Sequence, residues 1–509
     1  MNPLSLKGTP PPTTGWQDRL LATVKQRAAV ATPPPSVTVT LGASSSDAVD
    51  TYAFSNQSPA ERYSNEALGA MLQRNVGSSS APGLFAGLGK ALLSRLGADP
   101  SDVSLDAKAK AAAPVDGIAP PLASPDVPAE ASLTVKLASG ASVTLSLRLG
   151  DGGLSIDMHS SAELGEQDRQ SVAKLGGAFQ DMLDGLGTEP PTLSLQGLTE
   201  GDSRIASVDF KARVPTSEGP PQTIEFHSGA DTRTVKVDGP GGKIDVAMDM
   251  RNAATWGNQA QRKASVSNYL DQIDAAASRG RGDKNLVALF KSAFGQLNAS
   301  YPPTPATGPS DGIRALNTND HAVLTGLADF TASIGQAGSS PNPLHPDEVD
   351  SFSYQLSQST QFGGTGPLDR TIDQHQASRL KASYHMALSA GLSLQLTTKP
   401  ESQNYIYRQV DDSASSDTHI AYAKGRLTDA SVTQSASQTT HDKKYVMAKL
   451  VSDTTTPSSR TQKLDLRELL DPPHRDDDDP RQPPVSQATL DRVHAMIGLV
   501  TEPGQLTSR

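Results

Sequence analysis

The chain of 509 residues contains no cysteine. This absence excludes disulfide bonds, thiolate nucleophiles, and zinc or iron–sulfur sites that depend on cysteine ligands. Aromatic residues are also scarce, with 10 Phe, 10 Tyr and 2 Trp, and hydrophobic residues make up 36% of the chain. We therefore expect modest hydrophobic cores separated by connecting segments.

Excess positive charge and long apolar runs are absent as well. Lys and Arg number 45 against 55 Asp and Glu, so the formal net charge is −10. We expect no nucleic-acid partner, because such an acidic chain lacks the basic footprint that nucleic acids require. No apolar run approaches the length of a membrane-spanning helix, which predicts no membrane span. Residues 1–15 lack the apolar core of a signal peptide. The cytoplasm is thus the expected compartment, and export without a cleavable signal peptide is the alternative.

Proline content and hydrophobic periodicity predict an α+β fold class. The prediction is an antiparallel β-meander packed with helices, a central helical segment and a second, polar antiparallel β-rich region, with disordered termini and Pro-rich linkers. Seven parts follow in order: a disordered arm with one short amphipathic helix (1–50), a small helical unit (51–105), a Pro/Ala linker (106–130), an α+β domain (131–255), a helical region (256–340), an antiparallel β-rich region (347–452) and a polar tail with short helices (453–509).

Alternating apolar residues give the clearest strand predictions. In the α+β domain they begin at Leu133 and continue to Met158, with turns at Ser139-Gly140 and Gly150–Gly153. This pattern predicts an antiparallel meander with one buried face. In the polar β-rich region the alternating sets are Phe352/Tyr354/Leu356, Leu392/Leu394/Leu396, Tyr405/Tyr407, Ile420/Tyr422 and Tyr445/Met447.

Helical spacing predicts several helices between and after these strands. Val323, Leu324, Leu327, Phe330 and Ile334 predict the third helix of the helical region, and Leu380/Tyr384/Leu388 predict a helix within the polar β-rich region. From Thr454 onward we expect a polar tail with short helices at 464–470 and 488–500.

Glycine-rich and short recognition motifs do not support a ligand site. Gly83–Lys90 has neither the glycine spacing nor the Ser/Thr of a P-loop. Gly239–Lys243 joins two predicted strands and is better explained as a hairpin turn. The tripeptide Arg281-Gly-Asp283 is interpreted as an ordinary loop rather than an adhesion motif.

Metal and catalytic motifs are equally weak. The 10 His form no His-x-x-x-His pair, and the run Asp476–Asp479 lacks the spaced ligands and turn glycine of a calcium site. His345 with Asp347 and His441 with Asp442 could each orient a general base, but neither pair has a recognisable nucleophile. The two carboxylates of a glycosidase are separated in space and need have no fixed spacing in the sequence. The aspartates at plausible strand or loop positions for such a pair are Asp245, Asp249, Asp347 and Asp350.

The sequence therefore assigns no catalytic, cofactor-binding or metal residue and no cofactor. We expect a non-enzymatic interaction or structural protein, of bacterial type, with a protein partner and with export as an option. The alternative hypothesis is a hydrolase, acting for example on glycans, whose carboxylates and histidines assemble in space. The two differ in whether such groups converge in one concavity together with Tyr or Trp.

Overall fold

A computed structural model describes residues 59–76, 83, 85–107, 129–150, 153–186, 192–199, 201–214, 220–302, 312–389, 391–471 and 485–506. The predicted arm 1–50, most of the linker 106–130 and the run Asp476–Asp479 lie outside these residues. The chain divides into two compact units. The first runs to Pro191 and includes Lys211–Gln222, and the second contains Thr192–Phe210 and the residues from Thr223 onward.

The first unit combines helices with an antiparallel sheet. Its elements are α1 (Pro59–Val76), α2 (Leu88–Ala98), β1 (Val103–Ala107), β2 (Ala129–Leu137), β3 (Ser142–Gly150), β4 (Gly153–Ser160) and α3 (Glu166–Leu186). The strands lie in the order β1-β4-β3-β2. Alternate residues such as Leu133, Leu145 and Ile156 are buried, which confirms the predicted meander with one buried face.

Small residues let α2 and α3 approach each other closely. A Cβ atom on Gly89 would lie 2.6 Å from the ring of Phe179, and one on Gly176 would lie 3.2 Å from the Lys90 carbonyl oxygen. The backbone N–H of Gly89 donates to Oε1 of Gln180 at 3.0 Å. Gly89, one of the glycines of the segment 83–90, thus serves helix packing.

The second unit contains a longer antiparallel sheet. Its elements are α4 (Gln196–Thr199), β5 (Ile205–Val214, whose residues are divided between the units), β6 (Gln222–Gly229), β7 (Thr232–Gly239), β8 (Gly242–Asp249), α5 (Gln259–Gly280), α6 (Lys284–Leu297), α7 (Thr318–Ala322), β9 (Asp329–Gln336), β10 (Ser351–Gly366), β11 (Asp369–Ala387), β12 (Tyr405–Ala423), β13 (Arg426–Val446), β14 (Lys449–Asp465), α8 (Arg467–Leu470) and α9 (Gln487–Met496). Strands β6 to β14 are neighbours in sequence order.

The two faces of strands β10–β13 differ in burial. One face packs on helices and on a core that includes Ile372, Ile420, Val432 and Val493. Many buried side chains on this face are polar, and some of them bind backbone carbonyls of the segment after α9. Gln376 donates to the Ile497 carbonyl at 2.9 Å, and Gln434 donates to the Gly498 carbonyl at 2.6 Å. Buried amides are tolerated there because they are hydrogen-bonded.

Two predicted helices are strands instead. Phe330 and Ile334 belong to β9, and Leu380 and Tyr384 belong to β11. The prediction was wrong because residues four apart lie on one face of a helix and also on one face of a strand. The neighbouring strands, which the sequence pattern does not show, decide between the two structures.

Further corrections concern the segments around β12 and after residue 453. Residues 391–399, including Leu392, Leu394 and Leu396, do not form a strand. The polar segment from Thr454 is part of the 17-residue strand β14, which is hydrogen-bonded to β13. Backbone pairing maintains this strand although it has almost no buried side chains. The short helices predicted over 464–470 and 488–500 correspond to α8 and α9.

These elements confirm the α+β class with an antiparallel meander. The predicted division of the chain into seven parts stays a prediction, because the separation into two compact units does not test it. Among the residues that the structure describes, no helix combines the length and the apolar character needed to cross a membrane.

Candidate functional site

Exposed large hydrophobic side chains concentrate at one end of the sheet in the second unit. Of the six that the described residues present, one lies before β10, one lies between β11 and β12, and three lie where β13 turns into β14. We call these five the tip surface: Leu344, Leu392, Met447, Leu450 and Val451. Their exposed fractions run from 40% to 66%. Single exposed hydrophobics are ordinary, so it is their concentration at one end of the sheet that makes this region a candidate site.

The β13–β14 hairpin turn presents the central part of the tip surface. Met447 and Ala448 both have positive φ, at 50° and 63°. A two-residue hairpin turn needs this geometry, and non-glycine residues adopt it at a cost. Two hydrogen bonds hold the turn in place: the N–H of Met447 donates to Oδ1 of Asn404 at 3.0 Å, and the N–H of Ala448 donates to the Gln403 carbonyl at 3.1 Å.

A buried polar network lies beneath the tip surface, and we call it the support network: Asn342, Glu348, His385, Gln403 and Tyr405. The Tyr405 hydroxyl donates to Oε2 of Glu348 at 2.7 Å, and Nε2 of His385 lies 3.2 Å from the same oxygen. Asn342 and Gln403 exchange two side-chain hydrogen bonds of 2.9 Å. The buried carboxylate of Glu348 is thereby satisfied.

Aromatic packing extends this support. The rings of Tyr405 and Tyr445 are stacked, with centroids 4.8 Å apart. Together with Tyr407 they form a buried cluster, and Leu394 and Leu396 pack against it. Burial, together with Glu348, raises the pKa of Tyr445 to about 12. The pKa of Tyr405 is raised for the same reasons. Both hydroxyls therefore stay protonated at neutral pH. The Tyr405 hydroxyl needs this proton in order to donate to Glu348.

Charged residues of both signs surround the tip surface. Lys399, Lys444 and Lys449 are exposed, and so are Asp347 and Glu401. An apolar centre with a mixed polar rim is the usual anatomy of a protein–protein interface.

A second feature lies on the open face of the sheet, on the strands β11 and β12. Asp373 is directly opposite His419, and His375 is directly opposite Asp417. Each imidazole meets the facing carboxylate through Nδ1, at 2.6 Å for His419 and 2.5 Å for His375. We call these four residues the histidine–aspartate quartet.

A third feature is a cavity of about 700 Å³ bordered by α5, α7 and α9. Nε2 of His494 lies 3.1 Å from the Ser265 hydroxyl, which is itself 2.7 Å from the Thr325 carbonyl oxygen. Nδ1 of His494 lies 3.1 Å from the Leu324 carbonyl oxygen. Burial lowers the pKa of His494, so the neutral imidazole is favoured. His321, Asp271, Asp491 and Tyr269 also line this cavity.

The histidine–aspartate pairs suggested by sequence adjacency are not formed as pairs. His441 bonds Asp453 through Nε2 at 2.5 Å, whereas Asp442 pairs with Arg408 at 2.7 Å. Adjacent residues of a strand point to opposite faces, so these two cannot act together. His345 packs on the ring of Tyr445 at 5.1 Å.

The candidate carboxylates have separate partners. Asp245 lies 3.8 Å from Lys236, and Asp249 pairs with Arg251 at 2.5 Å. Asp350 accepts from Nδ1 of His385 at 2.6 Å. Exposed Asp347 lies in the segment that carries Leu344, so the structure brings only Asp347 and Asp350 to the region of the tip surface.

The glycine and loop motifs have structural roles. Gly239 and Gly242 pair at the ends of β7 and β8, and Pro240 and Gly241 form the hairpin turn between them, as the sequence predicts. Arg281 caps the C-terminus of α5 with a left-handed backbone, and Asp283 caps the N-terminus of α6. The tripeptide 281–283 is thus a helix-to-helix connection.

Sequence reasoning missed both the tip surface and the quartet. The quartet does leave a signal, since Asp-x-His occurs at 373–375 and at 417–419, each inside an alternating segment. The tip surface leaves none, because its residues come from three separate segments and are apolar like many core residues.

Within the described ranges, no group of three or more His, Cys, Asp or Glu side chains is placed to hold a metal ion. Comparisons with protein-family models, with curated proteins and with solved structures found no match.

Proposed function

We propose that the chain is a non-enzymatic interaction protein that binds a protein partner through the tip surface. The observation that carries this proposal is the concentration of exposed hydrophobic side chains at one end of the sheet, where Met447, Leu450 and Val451 share one hairpin. Burying such side chains against a partner is the main favourable term in protein association.

The support network favours binding by a surface that is already formed. Hydrogen bonds from the turn to Asn404 and Gln403, and from Tyr405 to Glu348, fix the backbone beneath the exposed residues. A surface held in its bound conformation loses little conformational entropy on association. The mixed charges around it supply the polar rim of such an interface.

Site-specific photo-crosslinking in the cells that produce the protein tests this proposal. A benzophenone amino acid replaces Leu450 or Leu392 in the tip surface. The matched control is Leu368, which is 60% exposed but lies at the opposite end of β10 and β11. We expect one discrete heterologous protein to be cross-linked from both tip positions and not from the control.

Three outcomes would count against the proposal. They are no cross-linked protein from either tip position, equal cross-linking from Leu368, and cross-linking only to a second copy of the chain. Adding Met447→Asp to the Leu392 probe variant gives an independent check. This substitution should abolish the cross-link while leaving the unfolding midpoint near that of the parent, because Met447 is 46% exposed.

The cavity of Ser265 and His494 supports a second candidate function, hydrolysis. A neutral imidazole beside a serine hydroxyl is the usual pairing of a general base with a nucleophile. Here the Ser265 hydroxyl donates its proton to the Thr325 carbonyl, so it would have to rotate toward Nε2 of His494 before that nitrogen could accept the proton. The carboxylates Asp271 and Asp491 line the same cavity together with His321 and Tyr269, which is the convergence in one concavity that the hydrolase hypothesis expects. Turnover of p-nitrophenyl esters or glycosides that disappears in His494→Ala would favour this function. If the parent chain turns over none of these substrates, or if His494→Ala turns them over as fast as the parent, the hydrolase function is ruled out.

A further inference from the structure

The histidine–aspartate quartet fixes which nitrogen of each imidazole carries the proton. An ionised carboxylate can only accept hydrogen bonds, so Asp417 requires a proton on Nδ1 of His375, and Asp373 requires one on Nδ1 of His419. In a neutral imidazole the lone pair then lies on Nε2. Neither Nε2 is hydrogen-bonded to any residue that the structure describes.

This arrangement is the one that supports metal-binding histidines. A histidine that ligates a metal through one nitrogen usually donates the other N–H to a carboxylate or carbonyl, which orients the ring and raises its basicity. Here two such carboxylate–imidazole pairs lie side by side on β11 and β12. The register makes His375 and His419 diagonal neighbours, a relationship in which Cα atoms are about 7–8 Å apart.

The surroundings of the two rings are negatively charged. Both imidazoles line one depression of about 450 Å³, together with Asp373, Asp417, Asp429 and Lys463. When both imidazoles are neutral, the formal charges of the three aspartates and of Lys463 add up to −2. A cation is therefore favoured over an anion.

We propose that His375 and His419 bind one divalent transition-metal ion through their Nε2 atoms. Imidazole ligands suit Cu²⁺, Ni²⁺ and Zn²⁺, whereas Ca²⁺ and Mg²⁺ prefer oxygen ligands. The described residues offer no third side chain placed to complete the site, so water occupies the remaining coordination positions. The affinity should be highest for Cu²⁺, following the usual order for divalent metals. This inference does not rest on the proposed function, because it concerns a different face and needs no partner.

Isothermal titration of the full, tag-free chain with CuCl₂ and with ZnCl₂ tests the inference. We expect one site per chain that is lost in the double variant His375→Ala/His419→Ala, and at least tenfold weaker binding in each single variant. Asp417→Asn keeps the ring but no longer enforces its tautomer, and should weaken binding by about 10–100-fold. Affinity should also fall as the solution is acidified, because protons compete for Nε2.

His441 is the matched control. It is also bonded to a carboxylate, but both of its nitrogens are engaged, Nδ1 by Gln409 at 2.9 Å and Nε2 by Asp453 at 2.5 Å. His441→Ala should therefore leave metal affinity unchanged. The inference is overturned if the parent chain binds neither metal, or if the double variant at 375 and 419 binds as tightly as the parent. A circular-dichroism spectrum equal to that of the parent shows that each variant is folded.

Discussion

Tyr405 donates a hydrogen bond of 2.7 Å to Glu348, a carboxylate buried three residues before the start of β10. Glu348 is one of the few buried acids in the second unit, and Tyr405 and His385 are its hydrogen-bond partners. The contact ties the segment that carries Leu344 to the first residue of β12. The position of the tip surface thus depends on a buried polar contact rather than on apolar packing alone.

Replacing Tyr405 by Phe should lower the free energy of unfolding by about 1.5–3 kcal/mol, because a hydrogen bond to a charged group is lost inside the protein. Tyr407→Phe is the matched control, since its hydroxyl donates to a neutral acceptor, the Val349 carbonyl, at 3.0 Å. That variant should lose only about 0.5–1.5 kcal/mol. Urea denaturation monitored by circular dichroism measures both. Equal losses would contradict the role of Glu348.

The ion pair between Arg370 and Asp320 is the most deeply buried one that the structure describes, with side chains 4% and 0% exposed. Arg370→Leu should destabilise the protein by about 3–5 kcal/mol, because it leaves a buried carboxylate without its cation. Arg379→Leu on the same strand is the control. Arg379 lies 3.6 Å from Asp411 and both are more than half exposed, so the change should be about 0–1 kcal/mol. Chemical denaturation of the two variants distinguishes them, and a small effect at Arg370 would be inconsistent with this account.

We expect Pro457 to protect the free edge of β14. Fifteen of the 17 residues of this strand are exposed, and β13 is the only described strand that pairs with it. Proline has no N–H, so it fits such a ladder without losing a hydrogen bond only if its nitrogen faces the free edge. Pro457→Thr restores a donor there and should promote self-association, as exposed edges do. Sedimentation velocity over a range of concentrations should show oligomers for this variant and none for the control Ser459→Thr. Monomeric behaviour of Pro457→Thr would refute the protective role.

Acid should destabilise the second unit through His494 and His321. Burial lowers the pKa of both imidazoles from the ordinary value of 6.5. The unfolded chain therefore binds more protons than the folded chain once the pH falls below about 6.5. The stability that comes from keeping these two imidazoles neutral is complete above that pH and is lost on acidification. The backbone of Leu324 and Gln261 and the charge of Asp491 oppose the effect at His494 by favouring its charged form, and Asp320 does the same at His321. Unfolding free energies at pH 7.5 and 5.5 should differ less for His494→Asn than for the parent, and an unchanged difference would contradict the assignment.

Local sequence patterns predict much of the fold. The alternation from Leu133 to Met158 and its glycine turns suffice for β2–β4, because short hairpins depend on neighbouring residues. The same reasoning was wrong at Phe330/Ile334 and at Leu380/Tyr384, where a spacing of four is compatible with both a helix and a strand. Strand β14 is formed by pairing with β13 and has few apolar residues to announce it.

The candidate sites could be predicted far less well. His375 faces Asp417 only because β11 and β12 pair in one register, and a register shifted by one residue would place them on opposite faces. The tip surface joins Leu344, Leu392 and Met447, which are separated by whole strands. Only the three-dimensional arrangement distinguishes these exposed side chains from the core residues that they resemble in sequence.

The most direct test of the tip surface as an interaction site is the yield of the heterologous cross-link at Leu450 relative to that at Leu368, measured in the same cells. Both positions are leucines that are at least half exposed, at 50% and 60%, and they lie at opposite ends of the same sheet. We predict a discrete product at Leu450 and none above background at Leu368. Equal yields at the two positions, or no product at Leu450, would contradict the central claim.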